Sequence, residues 1–212
     1  MGLQFRKLPI CVGDVTLKVA KGHFATRHSH INYLIDVTAQ KASLLEAAAV
    51  AQQLAERYLS AVPIDTILCL DGTRVIGTCL AGQLTQPGSG SVNEGRDMYL
   101  LMAGEDETGH VIMGGSTHSM VEGKHVLVLM SSVTTGETAR ISMEGIHSHG
   151  GYVSGIASIY SSLPEVAGVP VSTLYDCSDL PDYASFTFDA CPLCQKGVPL
   201  DALIDSFGYS EL

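Results

Sequence analysis

The chain has 212 residues, 22 acidic against 12 basic side chains, a formal net charge of −10 and 46% hydrophobic content. A single globular domain is the natural reading, since a chain of this size buries roughly 70% of its unfolded surface. The acidic mean field disfavours a nucleic-acid backbone as partner, because such binding relies on clustered Lys and Arg. No run of about 18 uncharged apolar residues offers a membrane span.

The opening MGLQFRKLPICVGD lacks the long apolar core of a secretory signal, so the cytoplasm is the expected location. There the six cysteines (Cys11, Cys69, Cys79, Cys177, Cys191 and Cys194) read as free thiols rather than a disulfide framework. Cys69 and Cys79 lie in apolar runs and act as small core hydrophobes.

In chain order, residues 1–23 are expected to form an irregular or partly helical arm, followed by a β-rich stretch at Tyr33 to Val37. Ser43-Leu44-Leu45-Glu46 fits a capping box, with Ser43 as N-cap and Glu46 reaching back. Leu44, Ala47, Ala51, Leu54 and Tyr58 then recur at helical spacing as far as about Ser60. Asp65 to Leu70 reads as a short buried strand, Asp71-Gly72-Thr73 as a tight turn, and Val75 to Leu84 as a helix on the sheet. After a Gly/Ser-rich loop at Gln86 to Gly95, Tyr99 to Met102 and His110 to Met113 read as a hairpin around an acidic turn at Gly104 to Gly109. His125 to Met130 is an apolar strand, Ser131 to Gly136 a loop, and the next helix runs to about His149. Tyr152 to Tyr160 and Val169 to Leu174 are strands, and a short helix is expected near Leu200 to Phe207. Strands alternating with helices over roughly residues 60–175 predict an α/β fold, a mainly parallel twisted sheet flanked by helices. The expected organisation is an N-terminal arm or hood (1–40), an α/β core (41–176) and a loop-rich tail of the same domain (177–212).

In open α/β sheets, ligands sit beyond the carboxyl ends of strands, where loops lead into helix N-termini. The segment Val126 to Ala139 has that form: a buried strand, two serines (Ser131, Ser132), then Val133-Thr134-Thr135-Gly136-Glu137-Thr138 opening a helix. Unpaired amides at the helix start and three threonine hydroxyls would form an anion cradle reinforced by the helix dipole. The plainer alternative is an ordinary N-capped helix behind a Thr-rich turn.

This stretch resembles the phosphoribosyl pyrophosphate (PRPP) loop of type I phosphoribosyltransferases, which is an apolar strand, two acids, two small or apolar residues, then Thr-Gly and a hydroxyl residue. Further segments are similar to orotate phosphoribosyltransferases. They are Phe24 to Asp36, the Ser43 helix, the Asp65 strand with its Asp71-Gly72-Thr73-Arg74 loop, the hairpin at residues 98–113, and the tail Cys191 to Leu200. The resemblance implies that Thr134, Thr135, Gly136, Glu137 and Thr138 form the 5′-phosphate loop and that Asp71 to Arg74 meet the pyrophosphate. It also implies Mg²⁺ in an active enzyme, and a homodimer. No side chain is assigned as acid, base or nucleophile.

The departures from the family pattern are specific. Ser131 and Ser132 stand where the family has the two acids that grip the ribose hydroxyls. Exchanging two charge-assisted hydrogen bonds for neutral ones costs on the order of 2–4 kcal/mol in ribose binding. Glu137 puts a carboxylate beside the proposed phosphate, repulsive unless its side chain turns away. Met98 to Gly109 carries three acids and no Lys or Arg, where the orotate enzymes place cations against the leaving pyrophosphate; Arg96 and His110 are the nearest substitutes. Two readings follow from different classes: a phosphoribosyltransferase, or a non-catalytic PRPP- or nucleotide-binding regulator.

Three weaker candidates remain. His28-x-His30 and His147-x-His149 could each set two imidazoles on one strand face for a metal. Cys191-x-x-Cys194 with Cys177 could belong to a zinc site, but a closed site needs four ligands. A packed pair of free thiols is the expectation there, with zinc unlikely.

Overall fold

The computed structural model describes residues 2–60, 62–102, 104–105, 111–112, 115–205 and 208–212. In chain order its strands and helices are β1 (Arg6–Val12), β2 (Val15–Ala25), β3 (His30–Asp36), α1 (Thr38–Ala42), α2 (Leu44–Ala55), β4 (Thr66–Cys69) and α3 (Arg74–Thr85). There follow β5 (Tyr99–Leu101), β6 (Gly104–Glu105), β7 (Val111–Ile112), a 3₁₀ turn, β8 (His125–Val133), α4 (Glu137–Ser148) and β9 (Tyr152–Ser161). The chain closes with β10 (Glu165–Val166), β11 (Val169–Tyr175), β12 (Ser185–Phe186), α5 (Pro192–Gln195), β13 (Ala202–Asp205) and β14 (Gly208–Glu211).

The central sheet has the order β10-β11-β9-β8-β4-β5, parallel at every pairing except the β10–β11 hairpin. Its inner strands β4 and β8 are buried on both faces because both faces are covered. In β8, Leu127 and Leu129 join one core with Leu54 of α2 and Ile76 and Leu80 of α3. The alternate residues Val126, Val128 and Met130 join a second core with Ala139, Met143 and Ile146 of α4. Gly77 lets α3 lie close on β4, since a Cβ there would collide with the Cys69 sulfur. Burial pushes the Cys69 thiol up to about 12, in keeping with a packing role. This is the α/β architecture that the strand–helix alternation predicts.

A second sheet, ordered β12-β3-β2-β13-β14 with β1 also on β2, forms a hood beside the first. It corrects two expectations. Residues 6–25 are a β-hairpin, not an irregular or helical arm: Val12 pairs with Val15 and Lys7 with Lys18, and Val15, Leu17 and Val19 are buried at every second position. The stretch near Leu200 is β13 rather than a helix, held parallel to β2 by Ala202↔Phe24 and Leu203↔Ala25 and antiparallel to β14.

Other local expectations shift as well. Ser43 starts α2 without a side-chain cap, and Glu46 accepts from Gln40 instead of reaching back. The cause is α1: the Ser43 amide already donates to Ala39 as the last bond of that helix, so no orphan donor is left for Glu46. Leu44 lies 69% exposed, off the buried face formed by Ala47, Ala51 and Leu54. Tyr99–Leu101 belongs to the central sheet, parallel to β4, while the hairpin is the shorter pair β6–β7. Asp106, Glu107, Gly109 and His110 of its turn lie outside the described residues.

At the amino end of the sheet, Asp65 ties three strands together. Its carboxylate accepts from the His125 amide (2.9 Å), lies 3.2 Å from the His125 ring, and pairs with Arg96 at 2.7 Å. Burial alone would raise the Asp65 carboxyl, but the two His125 hydrogen bonds and the Arg96 charge outweigh it and hold it below its ordinary value. A depressed folded-state value contributes stability above the unfolded pKa, and that contribution is lost as pH falls through the folded value. Asp65→Asn should therefore cost about 1–2 kcal/mol at pH 7, and urea melts should show the gap from wild type closing below about pH 4. A gap independent of pH would mean that the carboxylate's charge does not stabilise this corner.

Candidate phosphate-binding cleft

The parallel strands β4, β8, β9 and β11 all end on the same edge, and a cleft of about 970 Å³ lies between that edge and the hood. Both loops singled out in the sequence line it: Leu70-Asp71-Gly72 after β4, and the continuous stretch from Met130 to Ala139 that runs from the end of β8 into α4. They are neighbours because β4 and β8 pair directly, Cys69 opposite Leu129. The hood contributes Ala25 to His28, Leu34 to Thr38, and Leu203 to Asp205 to the opposite wall.

β8 runs three residues beyond its expected end at Met130, with Ser132 opposite Tyr160 and Val133 opposite Ser161. Ser131 and Ser132 are thus the last rungs of the ladder rather than the loop. Consecutive strand residues face opposite sides, so the two serines border the cleft from different faces. Ser131 is only 7% exposed and Ser132 half-buried.

The loop itself is shaped by Gly136, at φ 77°. A Cβ there would lie 3.0–3.1 Å from Val166 and Leu163, so both the backbone and the space demand glycine. Ser162 fixes the other side, its hydroxyl donating to the Thr134 carbonyl at 2.8 Å. Gly136 caps α4 with no side-chain partner, and the first helical bond runs from the Arg140 amide to the Gly136 carbonyl. The amides of Thr138 and Ala139 therefore precede the helical ladder and open on the cleft end of α4. Thr135 donates no cap of its own; its hydroxyl accepts a long 3.4 Å bond from the Glu137 amide.

Glu137 lines the cleft but its carboxylate is engaged within its own helix. Arg140 clamps its carboxylate in a bidentate pair at 3.0 and 2.6 Å and bridges onward to Glu144. The Arg140 hydrogen bonds hold the Glu137 carboxyl below its usual range. The repulsion foreseen from the sequence is offset by a cation one helical turn away.

The turn after β4 divides the four residues assigned to pyrophosphate. Asp71, at φ 51°, and Gly72 face the cleft. The fully buried Thr73 hydroxyl donates to the carbonyls of Leu70 (2.7 Å) and Leu129 (3.1 Å), locking this turn onto β8. Arg74 begins α3 and is exposed, outside the cleft lining.

Two cationic side chains that the motif reading did not place in a site do line the cleft, Arg27 and Lys41, beside the His28 imidazole. Burial lowers the Lys41 ammonium, while the charges of Asp71, Asp205 and Asp36 act to raise it. Lys41 lies at the end of α1, and only the hood–core packing brings it to the cleft. No local pattern marked it. Arg96, imagined as a substitute cation, pairs with Asp65 at the far end of the sheet and serves structure there.

The metal candidates also separate. His147 and His149 sit at the end of a helix rather than on a strand face, with the His149 ring bonded to the Gly145 carbonyl. His28 faces the cleft while His30 packs behind it. Cys177 bonds to the Ser162 carbonyl, away from Cys191 and Cys194, whose sulfurs lie against His23 and His30.

No family model matches the chain. Orotate phosphoribosyltransferases of Thermus thermophilus are 35% identical to it over 81 residues, 37% of this chain. The chain thereby covers 42% of the length of these curated relatives. A phosphoribosyltransferase structure from Corynebacterium diphtheriae superposes with a TM-score of 0.50 at 16% identity, covering 74% of this chain and 89% of that one. The Mycobacterium tuberculosis orotate phosphoribosyltransferase in complex with PRPP gives 0.50 at 16% identity over 69% and 82%. Leishmania donovani UMP synthase gives 0.54 at 17% identity over 77% and 34%. With its cleft at the carboxyl edge of the parallel sheet, the chain has the type I phosphoribosyltransferase fold, and its matched sequence resembles the orotate enzymes.

Proposed function

We propose that this chain binds PRPP in the cleft and transfers its phosphoribosyl group to a ring nitrogen of a nucleobase. One observation carries the reading: the glycine-shaped loop at the start of α4 and the Asp71 turn converge on one cleft under the hood. In the proposal Thr134, Thr135, Gly136 and Thr138 hold the 5′-phosphate through hydroxyls, amides and the helix dipole. Asp71 and Gly72 meet the pyrophosphate, with Lys41 and Arg27 as the cationic groups of the cleft and His28 as a hydrogen-bonding imidazole beside them. The bond from ribose C1 to the pyrophosphate oxygen breaks, its electron pair leaving with pyrophosphate, and the base nitrogen forms the new bond to C1 and gives up its proton to solvent or the leaving pyrophosphate. Positioning and charge do this work, since no acid, base or nucleophile is assigned.

The cleft carboxylates Asp36, Asp71 and Asp205 suit Mg²⁺, which binds through one or two carboxylates together with substrate phosphates. Bound there with PRPP, it would neutralise charge on the leaving pyrophosphate. On the resemblance, a cytoplasmic homodimer serving pyrimidine or nucleotide metabolism completes the proposal. The net charge of −10 speaks against nucleic acid as partner, and no helix among the described residues is long and apolar enough to cross a membrane.

Thermal shift in the presence of PRPP with Mg²⁺, nucleoside monophosphates or orotate tests this. A ligand at a hundredfold its Kd stabilises by about 2.7 kcal/mol, a rise of roughly 5–10 °C for a chain of this length. Thr135→Asp, which sets a carboxylate at the mouth of the loop, should abolish the PRPP shift while leaving the apo melting temperature intact. An unchanged shift in that variant would place the ligand elsewhere. PRPP binding without pyrophosphate release would reduce the activity to binding.

A further inference from the structure

Behind the hood wall, away from the proposed phosphate loop, four side chains from three elements converge. His23 near the end of β2, His30 at the start of β3, and Cys191 and Cys194 at α5 bring one ligand atom each to within 4.8 Å of all the others. The His23 Nε2 to His30 Nδ1 distance is 3.1 Å, and Cys194 Sγ lies 3.2 Å from His30 Nδ1. Cys191 and Cys194 lie 3.5 and 3.6 Å from His23 Nε2. We propose that these four residues form a closed, tetrahedral zinc site of the Cys₂His₂ type.

The spacing suits that ion. Zinc bonds of about 2.0–2.1 Å to nitrogen and 2.3 Å to sulfur put tetrahedral ligand atoms about 3.3–3.8 Å apart. Two sulfurs and two imidazole nitrogens in that arrangement favour zinc over the harder divalent ions.

The orientation of His23 points the same way. Its Nδ1 lies 2.9 Å from the Val198 carbonyl. A carbonyl can only accept, so the proton sits on Nδ1, and Nε2 presents a lone pair to the cluster. A ring fixed by a backbone carbonyl on its outer nitrogen is the usual support for a metal-bound histidine. His23 is 1% exposed, His30 9% and Cys191 0%, so water has little access from the hood side. As a plain hydrogen-bonded cluster, by contrast, the site would leave the buried Cys191 thiol and two buried imidazoles to be satisfied largely by one another, with only Cys194 open to water.

Four protein ligands leave no open position, which assigns the ion a structural role. It would join the hood hairpin to the tail, where Asp201 also bonds both ways to the His23 backbone at 2.7 and 2.8 Å. His23 and His30 flank the turn at 26–29, whose Ala25 to His28 side lines the cleft, so the clamp would also hold that wall in place.

The test is metal analysis of the full chain, purified without chelator. It should contain one zinc per chain, and cobalt added to chelator-treated protein should give the intense d–d bands of a tetrahedral thiolate site. Cys194→Ser, at the exposed corner of the site, should weaken zinc binding more than about a hundredfold. Cys177→Ser should keep full stoichiometry. Circular dichroism monitors the fold of each variant, and the cobalt titration of the native chain does not depend on any variant folding. Stoichiometric iron, a folded native chain that takes up neither zinc nor tetrahedral cobalt, or full zinc in Cys194→Ser would overturn the proposal. None of these readouts uses PRPP, so they stand apart from the outcome at the cleft.

Discussion

Gly136→Val should lower the stability of the apo chain by about 3 kcal/mol, a fall of roughly 10 °C in melting temperature, and remove PRPP binding at any practical concentration. Two costs add at this position. The backbone is left-handed at φ 77°, which charges a non-glycine residue about 1–2 kcal/mol and a β-branched one more. The new side chain also grows into Val166 and Leu163, already 3.0–3.1 Å from the position of a Cβ, and overpacking of that kind costs about 1–3 kcal/mol. The loop can escape only by moving away from β10, which takes the Thr134 and Thr135 hydroxyls and the first amides of α4 out of register with one another. Gly136→Asn separates the two terms, because asparagine tolerates the left-handed region while still crowding Val166. It should fall between valine and wild type in a denaturant melt. A valine variant as stable as wild type would show that the loop does not need this conformation.

The parts legible in the sequence are those whose signal is local. β8 and β4 are covered on both faces, so their apolar runs stand out, and the glycine and hydroxyl residues after β8 mark a strand-to-helix loop without reference to anything distant. The strands at 6–25 and 202–205 are less legible because their stabilising partners are remote. Val15, Leu17 and Val19 alternate as a strand should, but Pro9 and Gly13 interrupt the pattern, and the pairing of β2 with β13 spans most of the chain. The same distance hid the histidine–cysteine cluster. Cys191-x-x-Cys194 was visible, as was His30, yet His23 lies 168 residues from Cys191. A spacing rule tied each motif to its neighbours and so attached Cys177 to the wrong set. Lys41 was missed for a further reason: a lysine at the end of a short helix carries no signal until the fold turns that helix toward a cleft.

Restoring acids at the end of β8 should have the opposite effects on binding and on stability. Ser131→Asp with Ser132→Asp should raise PRPP affinity about tenfold or more, if each regained charge-assisted bond is worth about 1 kcal/mol beyond the serine hydroxyl. The apo protein should become less stable, and the two positions should not contribute equally. Ser131 is 7% exposed, so a carboxylate there is largely desolvated until a ligand or Mg²⁺ reaches it. Ser132 is half-buried, and its carboxylate keeps water in the apo state. The single variants should divide accordingly, Ser131→Asp carrying most of the loss in melting temperature and Ser132→Asp giving its gain in affinity at little cost. Pyrophosphate release should rise less than affinity. In the proposed site the acids would bear on the ribose, whereas charge developing on the leaving pyrophosphate would fall to Lys41, Arg27 and any bound Mg²⁺, with no Lys or Arg in the segment 98–109. Isothermal titration with PRPP and a pyrophosphate-release assay on wild type, both single variants and the double variant would separate these effects. Brisk wild-type turnover with orotate would show that serines suffice as ribose partners. A double variant that binds PRPP no better than wild type would mean that the end of β8 faces a different ligand.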